Sequence, residues 1–386
     1  MPGYVYAQNE NDLYVNLFVG SESSIQLPAG KLNIIQHTEY PWNGKDEIEI
    51  NPEKNFAFSL HVRVPGWAVD RPVPGDLYSS AGSNAAPLNI LLNGKPATYK
   101  MDKGYAVIER NWKKGDKISF ELPMDIKKIS ANEQVKADKD RFALQRGPIM
   151  YCLEGPDNKD AAVMNIVVDK NTPIQAVYKP ELLNGVMTLE MKGSSTKRQL
   201  NSADLLKSTQ NVIAIPYYSW ANRGPGEMEV WIPFEESAAK PMPAPTIASK
   251  SKASGSIKNA RMLKGLNDQY EPQDSRDASA IYLHWWPKKN SLEYVQYDFD
   301  STYTVSETSV YWFDDGPFGG CRIPASWKLL YKKGDEWIPV KVISTDPIAK
   351  DKYNTIRFEP ITTNAVKIEI QQPVDHSAGL HEWIIK

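Results

Sequence analysis

The sequence predicts an all-β protein built from consecutive β-sandwich or jelly-roll domains. Three observations predict it: alternation of period 2, turn signals between short runs, and little helical periodicity. In 56–64, Phe56, Phe58, Leu60, Val62 and Val64 fall on one side of an extended chain. One buried face of a sandwich strand reads this way. Ile118, Phe120 and Leu122 repeat the pattern, as do Val295, Tyr297 and Phe299, and Val366, Ile368 and Ile370. Asn93-Gly94 separates two runs and predicts a tight hairpin, because both residues tolerate positive φ. Lys114-Gly115-Asp116 and Lys333-Gly334-Asp335 precede further strands. Ser202–Lys207 is the one stretch that reads as a helical turn.

The 386 residues exceed one ordinary domain. Asp70–Pro87, with Pro72, Pro74, Gly75, Gly82 and Pro87, reads as a long surface loop. The Pro-, Ala-, Ser- and Lys-rich stretch after Glu235 reads as a linker, with a boundary near residue 245. The expected division is a sandwich over 1–127, a second over 128–238, a linker over 239–256 and a jelly roll over 257–386.

The 45 basic and 47 acidic residues leave a net charge of −2, with no footprint for nucleic acid or an anionic membrane. No apolar run is long enough to cross a membrane as a helix, and Met1–Asp12 lacks the regions of a signal peptide. On that reading the protein is cytoplasmic or its true N-terminus lies elsewhere. Cys152 and Cys321 form neither a disulfide framework nor a zinc spacing. The five histidines are scattered, and each reads as a neutral surface or core residue. Glu227 and Glu229 fall on one strand face about 7 Å apart, a spacing open to glycosidase chemistry, but they read first as a solvated face.

Several ordered segments carry a resemblance. They are Pro2-Gly3-Tyr4-Val5-Tyr6-Ala7, Tyr40-Pro41-Trp42-Asn43-Gly44, Arg63-Val64-Pro65-Gly66-Trp67-Ala68, Gln145-Arg146-Gly147-Pro148 and Pro216–Met228. Together they resemble glycoside hydrolase family 127, the β-L-arabinofuranosidase-type enzymes of plant-glycan-degrading bacteria, over residues 1 to about 238. The resemblance implies a catalytic (α/α)6 barrel with a zinc-bound cysteine nucleophile and a Glu acid/base, ahead of the part matched here. Cys152 matches a position in the rear sandwich, so no catalytic residue carries over. The chain alone is expected to show no hydrolase activity and to hold no zinc. A sandwich parted from its barrel is expected to expose apolar surface near Tyr4, Tyr6 and Trp42 and to self-associate or dock a separate barrel. The parent enzyme would be periplasmic or secreted.

Residues 245–386 are similar to the discoidin, or coagulation-factor C-type, jelly roll that includes carbohydrate-binding module family 32. Trp285-Trp286-Pro287, Val310-Tyr311-Trp312-Phe313 and His381-Glu382-Trp383 carry the likeness. It implies a structural Ca²⁺ on Asp268 and Glu382, with Ser275 and main-chain carbonyls completing an oxygen shell. A sugar site needs an aromatic face and a few polar groups. Trp286, Phe318, Asp315 and Arg322 are the candidates for an arabinose- or galactose-containing glycan, with His376 nearby. Trp285, Trp312 and Trp327 are expected in the core. The favoured function is an accessory, sugar-binding and scaffolding part of such a hydrolase. A hydrolase with an unrecognised carboxylate site and a purely structural docking module remain the alternatives.

Overall fold

The computed structural model describes residues 2–386 other than 81–86, 200, 201, 203, 225 and 280. It is nearly all β, with only short helical pieces. The chain divides into two compact units, Met1–Met242 and Pro243–Lys386.

The first unit opens with two facing sheets. One has five strands in the order Tyr6–Asn9, Asp12–Val15, Phe56–Arg63, Tyr105–Trp112 and Lys100–Asp102. The other has six, running from Ser21–Leu27 through Gly30–Thr38, Lys45–Pro52, Asp116–Glu121 and Ile90–Leu92 to Lys95–Pro96. Their inner faces meet in one core, where Phe58, Leu60, Val62, Val64, Ile118, Phe120 and Leu122 are buried as the alternation requires. Asn93 and Gly94 take φ of 50° and 78°, the left-handed pair that a two-residue hairpin demands. The Trp112 indole satisfies its N–H on the Phe58 carbonyl at 3.0 Å.

A third sheet of ten strands surrounds a second core in the same unit, with Phe142, Leu144, Tyr151, Leu189 and Val212 among its buried residues. Two expectations are corrected here. Tyr78–Ser80, inside the expected loop, is a strand that pairs with Ile126–Ala131; Gly82 of that loop lies outside the described residues. The expected helical turn at 202–207 is instead the start of the strand Leu205–Pro216, paired with Val186–Arg198, while Ala203 lies outside the described residues. Ten registered pairs with Val186–Arg198 outweigh the weak helical preference of two leucines.

The second unit is one eight-stranded sheet around a separate core. Its main strands are long: Leu292–Phe313 has 22 residues and Tyr353–Gln371 has 19. Register shifts between Asp298 and Tyr303 and between Val305 and Glu307 break the long ladder. Bulges of this kind bend a strand and increase its twist. Trp285, Trp312 and Trp383 are fully buried, and Trp327 packs partly buried against them. Much of the expected linker is ordered. Ile247–Lys250 is a helical turn with a Thr246/Ser249 capping box, and Lys252–Gly255 pairs with Leu292–Phe313.

One core position breaks the apolar rule. On Lys45–Pro52, Asp46 shares the inward face with Ile48 and Ile50 and is 4% exposed. Neither of its carboxylate oxygens has a hydrogen-bond partner. Burial pushes the group up to about 6, with the nearby Thr38 hydroxyl working against the shift. A carboxyl raised in the folded state binds extra protons there. Its contribution to stability is complete below the free value of 3.8 and is lost as pH rises through about 6. The cost of ionising Asp46 is about 3 kcal/mol by linkage. Asp46→Asn should therefore flatten the fall in unfolding free energy between about pH 4 and pH 8. Denaturant titration of both proteins across that range checks it, and parallel pH profiles would contradict it.

Candidate functional site

Two places in the second unit gather chemistry-bearing side chains. The first follows from strand alternation. Leu283 and Trp285 point into the core, which turns Tyr282, His284 and Trp286 to the other side. These three line a cavity of about 180 Å³ with Phe313, Asp315 and Gly320. Tyr282 stacks on Phe313 with centroids 3.8 Å apart. Trp286 is 58% exposed, so much of its indole faces solvent. Its inner edge lies on the 316–322 loop. A Cβ at Gly320 would come within 2.5 Å of the indole Cδ1, so only glycine allows this approach.

The loop is fixed from beneath. Asp314 is fully buried; its Oδ1 accepts from Gly316 N at 3.0 Å and Lys350 Nζ at 2.7 Å, and its Oδ2 from Ile323 N at 3.1 Å. Asp315 Oδ1 accepts the Cys321 N–H at 2.8 Å, and the residue lines the cavity. Burial lowers His284, which keeps the ring neutral, and its Nδ1 has no hydrogen-bond partner. The cavity thus offers aromatic surface, a carboxylate and an imidazole ring.

Of the four sequence candidates, Trp286 and Asp315 line this cavity together. Arg322 does not line it: its Nη1 donates to the carbonyls of Gly319 and Cys321 at 3.0 and 2.6 Å and lies 3.5 Å from Asp315 Oδ1. Phe318, 93% exposed, stands on the outside of the loop. His376 is half-buried beside Ser377, whose N–H donates to Gly320 O. Tyr282 escaped the sequence reading, although the alternation through Tyr282, His284 and Trp286 carried the signal.

The second place lies where the loop after Leu266 meets the last strand, Gly379–Ile385. Glu382 is 3% exposed, and its Oε2 has no hydrogen-bond partner. Burial, then the charge of Asp268, pushes its carboxyl up to about 9; the Gln269 N–H opposes the shift. Asp268 Oδ1 accepts from Tyr270 N at 2.9 Å. The structure therefore sets Asp268 and Glu382 as neighbours. Ser275 is engaged elsewhere: its N–H donates to Asp351 Oδ1 and its hydroxyl accepts the Asp351 N–H, both at 2.8 Å. Among the described residues no group of three or more His, Cys, Asp or Glu side chains is placed to hold a metal.

In the first unit the carboxylates of the 216–229 segment do structural work. Arg223 bridges Glu154 and Asp157, and Glu154 also accepts Ala221 N at 3.0 Å. Pro225 lies outside the described residues. Glu227 Oε2 accepts the Val163 and Met164 N–H groups. Glu229 is buried and paired with Arg141 at 2.6 Å, so the solvated face expected for these acids is corrected: Glu229 faces inward. Trp42, expected at an exposed apolar surface, packs half-buried against the second core, and Tyr6 is half-buried with its hydroxyl on Ser21. Tyr4 is exposed. Cys152 and Cys321 are buried, and burial pushes both thiols up to about 12. Neither supplies a thiolate near neutral pH.

Comparison with known proteins agrees with this placement of the first unit. Residues 12–124 match the β-L-arabinofuranosidase GH127 middle domain, and 126–233 match the glycoside hydrolase family 127 C-terminal domain. A non-reducing end β-L-arabinofuranosidase of Bifidobacterium longum subsp. longum is 28% identical over 243 residues, 59% of this chain and 34% of that protein. A solved GH127 β-arabinofuranosidase is 36% identical with a TM-score of 0.59, over 63% of this chain and 38% of that one. A GH127 β-L-arabinofuranosidase from Geobacillus stearothermophilus T6 is 32% identical with a TM-score of 0.52, over 60% and 35%. The chain spans little more than a third of the length of these relatives. Residues 12–233 of this chain belong to glycoside hydrolase family 127, as its middle and C-terminal domains.

Proposed function

We propose that this chain is the accessory part of a plant-glycan-degrading hydrolase, and that its second unit is a discoidin-like, carbohydrate-binding module. The observation that carries this reading is the cavity of Trp286, Tyr282, His284 and Asp315. An exposed indole presents a flat apolar face to the C–H side of a sugar ring. Asp315 and the His284 ring beside it supply polar contacts for hydroxyls. The rigid seat under the loop, built on Asp314, lowers the ordering cost of binding. Phe318 extends the apolar surface outward from the loop, and Arg322 holds the loop carbonyls in place. The glycan is arabinose- or galactose-containing. The first unit acts as scaffold for a catalytic barrel, with Tyr4 on the surface available for that partner. The parent enzyme works in the periplasm or outside the cell.

The same reading includes a structural Ca²⁺ held by Asp268 and Glu382. Two neighbouring carboxyls, one buried with an unpartnered oxygen, fit a hard cation that takes oxygen ligands. Main-chain carbonyls of the 266–272 loop would complete the shell, which a cluster of side chains alone does not supply. Ser275 stays outside the shell on this view, because its hydroxyl accepts the Asp351 N–H and its carbonyl the Asp314 N–H. When bound, the cation would neutralise the acid pair and tie the loop to the last strand.

Isothermal titration of the chain with arabinan and galactan oligosaccharides tests the sugar site. Trp286→Ala should weaken binding by about ten-fold or more, since stacking on one aromatic is worth on the order of 1–2 kcal/mol. No binding at millimolar sugar, or unchanged affinity in the variant, would leave the second unit a structural module. For the cation, calcium should raise the melting temperature of the wild type and not of Glu382→Gln. An equal response to chelator in both proteins would remove the site.

A further inference from the structure

The first sandwich carries a cationic cavity that the reading above does not use. Its volume is about 550 Å³. Arg63, Arg71 and Lys103 line it together with Trp67 and the Pro72–Val73–Pro74 turn, and no acidic side chain does. Three positive charges around one cavity stand out in a chain of net charge −2. Arg110, Arg141, Arg223, Arg322 and Arg357 are each paired with a carboxylate. Among the described residues the side chains of Arg63, Arg71 and Lys103 have neither a hydrogen bond nor an ion pair. Asp70, next to Arg71 in sequence, is engaged by Lys127 at 2.5 Å.

The backbone builds this arrangement. Arg63 stands opposite Tyr105 across paired strands, with its guanidinium carbon 5.2 Å from the ring centroid. Gly104, at φ +84°, makes room for that side chain: a Cβ there would meet Arg63 Nη1 at 2.9 Å. Val64 N donates to Gly104 O at 2.8 Å, which ties the Lys103–Gly104 turn to the end of the Arg63 strand. Arg71 N donates to Gly66 O at 2.9 Å, closing the loop that brings Arg71 back beside Trp67.

We infer that this cavity binds a sugar acid, a uronate-bearing oligosaccharide whose carboxylates meet Arg63, Arg71 and Lys103 while its ring C–H faces lie on Trp67 and the prolines. The planar guanidinium fork matches a carboxylate with two parallel hydrogen bonds. The apolar wall beside the cations suits a ring more than a bare inorganic anion. The choice of a sugar acid among polyanions rests on the chain's reading as a glycan-handling protein; the charge argument does not.

The test is isothermal titration of the full chain with trigalacturonate, its methyl ester, neutral arabinan oligosaccharides and inorganic phosphate. The acid should bind and the ester should bind at least about ten-fold more weakly, as loss of charged hydrogen bonds implies. Raising salt from about 0.05 to about 0.5 M should weaken the acid's binding several-fold. Arg71→Gln and Lys103→Gln, both at exposed positions, should each reduce it, and Arg63→Gln more, with folding checked by circular dichroism. Equal affinity for the ester, phosphate competing as strongly as the sugar, or indifference to Arg71→Gln and Lys103→Gln would overturn the assignment. Trp286→Ala should leave trigalacturonate binding intact; loss there would move the acid to the other cavity and overturn this one. Failure of neutral sugars to bind anywhere would count against the second unit's proposed role alone.

Discussion

The second unit depends on one buried hydroxyl. Tyr297 is fully enclosed, stacked on Trp383 with centroids 4.0 Å apart, so its O–H must find an acceptor inside the protein. It finds the Leu266 carbonyl at 2.7 Å, with the Trp383 carbonyl at 3.1 Å. The Leu266 carbonyl also accepts the Trp383 N–H at 2.8 Å. Three segments far apart in sequence are thereby fixed at one point: an early loop, a central strand and the last strand. Asp268 lies two residues after Leu266, and Glu382 one residue before Trp383. Their meeting follows from the way a tyrosine satisfies its hydroxyl. The Trp383 indole N–H, bonded to Thr308 Oγ1 at 2.8 Å, holds the other side.

Buried carboxylates elsewhere show how differently a β core treats the same group. Asp314 is fully buried, yet a lysine and two backbone N–H groups satisfy it. Glu229 has Arg141, and burial still pushes it up to about 7, because desolvation outweighs the ion pair. Among the described residues Asp46 has no cation beside it, and only the nearby Thr38 hydroxyl opposes its shift. The first of these positions a loop and the second fastens the segment after Glu227 to the sheet. For Asp46 we find no structural benefit that offsets its burial.

The strands were legible because sandwich burial imposes period 2; the runs at 118–122 and 366–370 obey it, and the run at 56–64 departs from it at His61, which is buried on the outward phase. Asp46 escaped the sequence reading, although its alternation with Ile48 and Ile50 carried the signal. Contacts between distant residues were not. Glu154 and Arg223 are 69 positions apart, and nothing local says that they meet. The strand beginning at Leu205 was misread because its pairing with Val186–Arg198, not its own composition, makes it extended. At the cavity, residue types pointed to Trp286 and Asp315, but the orientation of Arg322 toward loop carbonyls depends on a fold of the 316–322 segment that spacing does not encode.

The two cysteines have a consequence for where such a chain can work. Both are buried, and burial holds each thiol far from ionising near neutral pH. Thiol–disulfide exchange requires an accessible thiolate, so the folded chain offers nothing to glutathione or to an oxidising isomerase. Neither thiol of the folded chain is therefore poised for disulfide exchange near neutral pH.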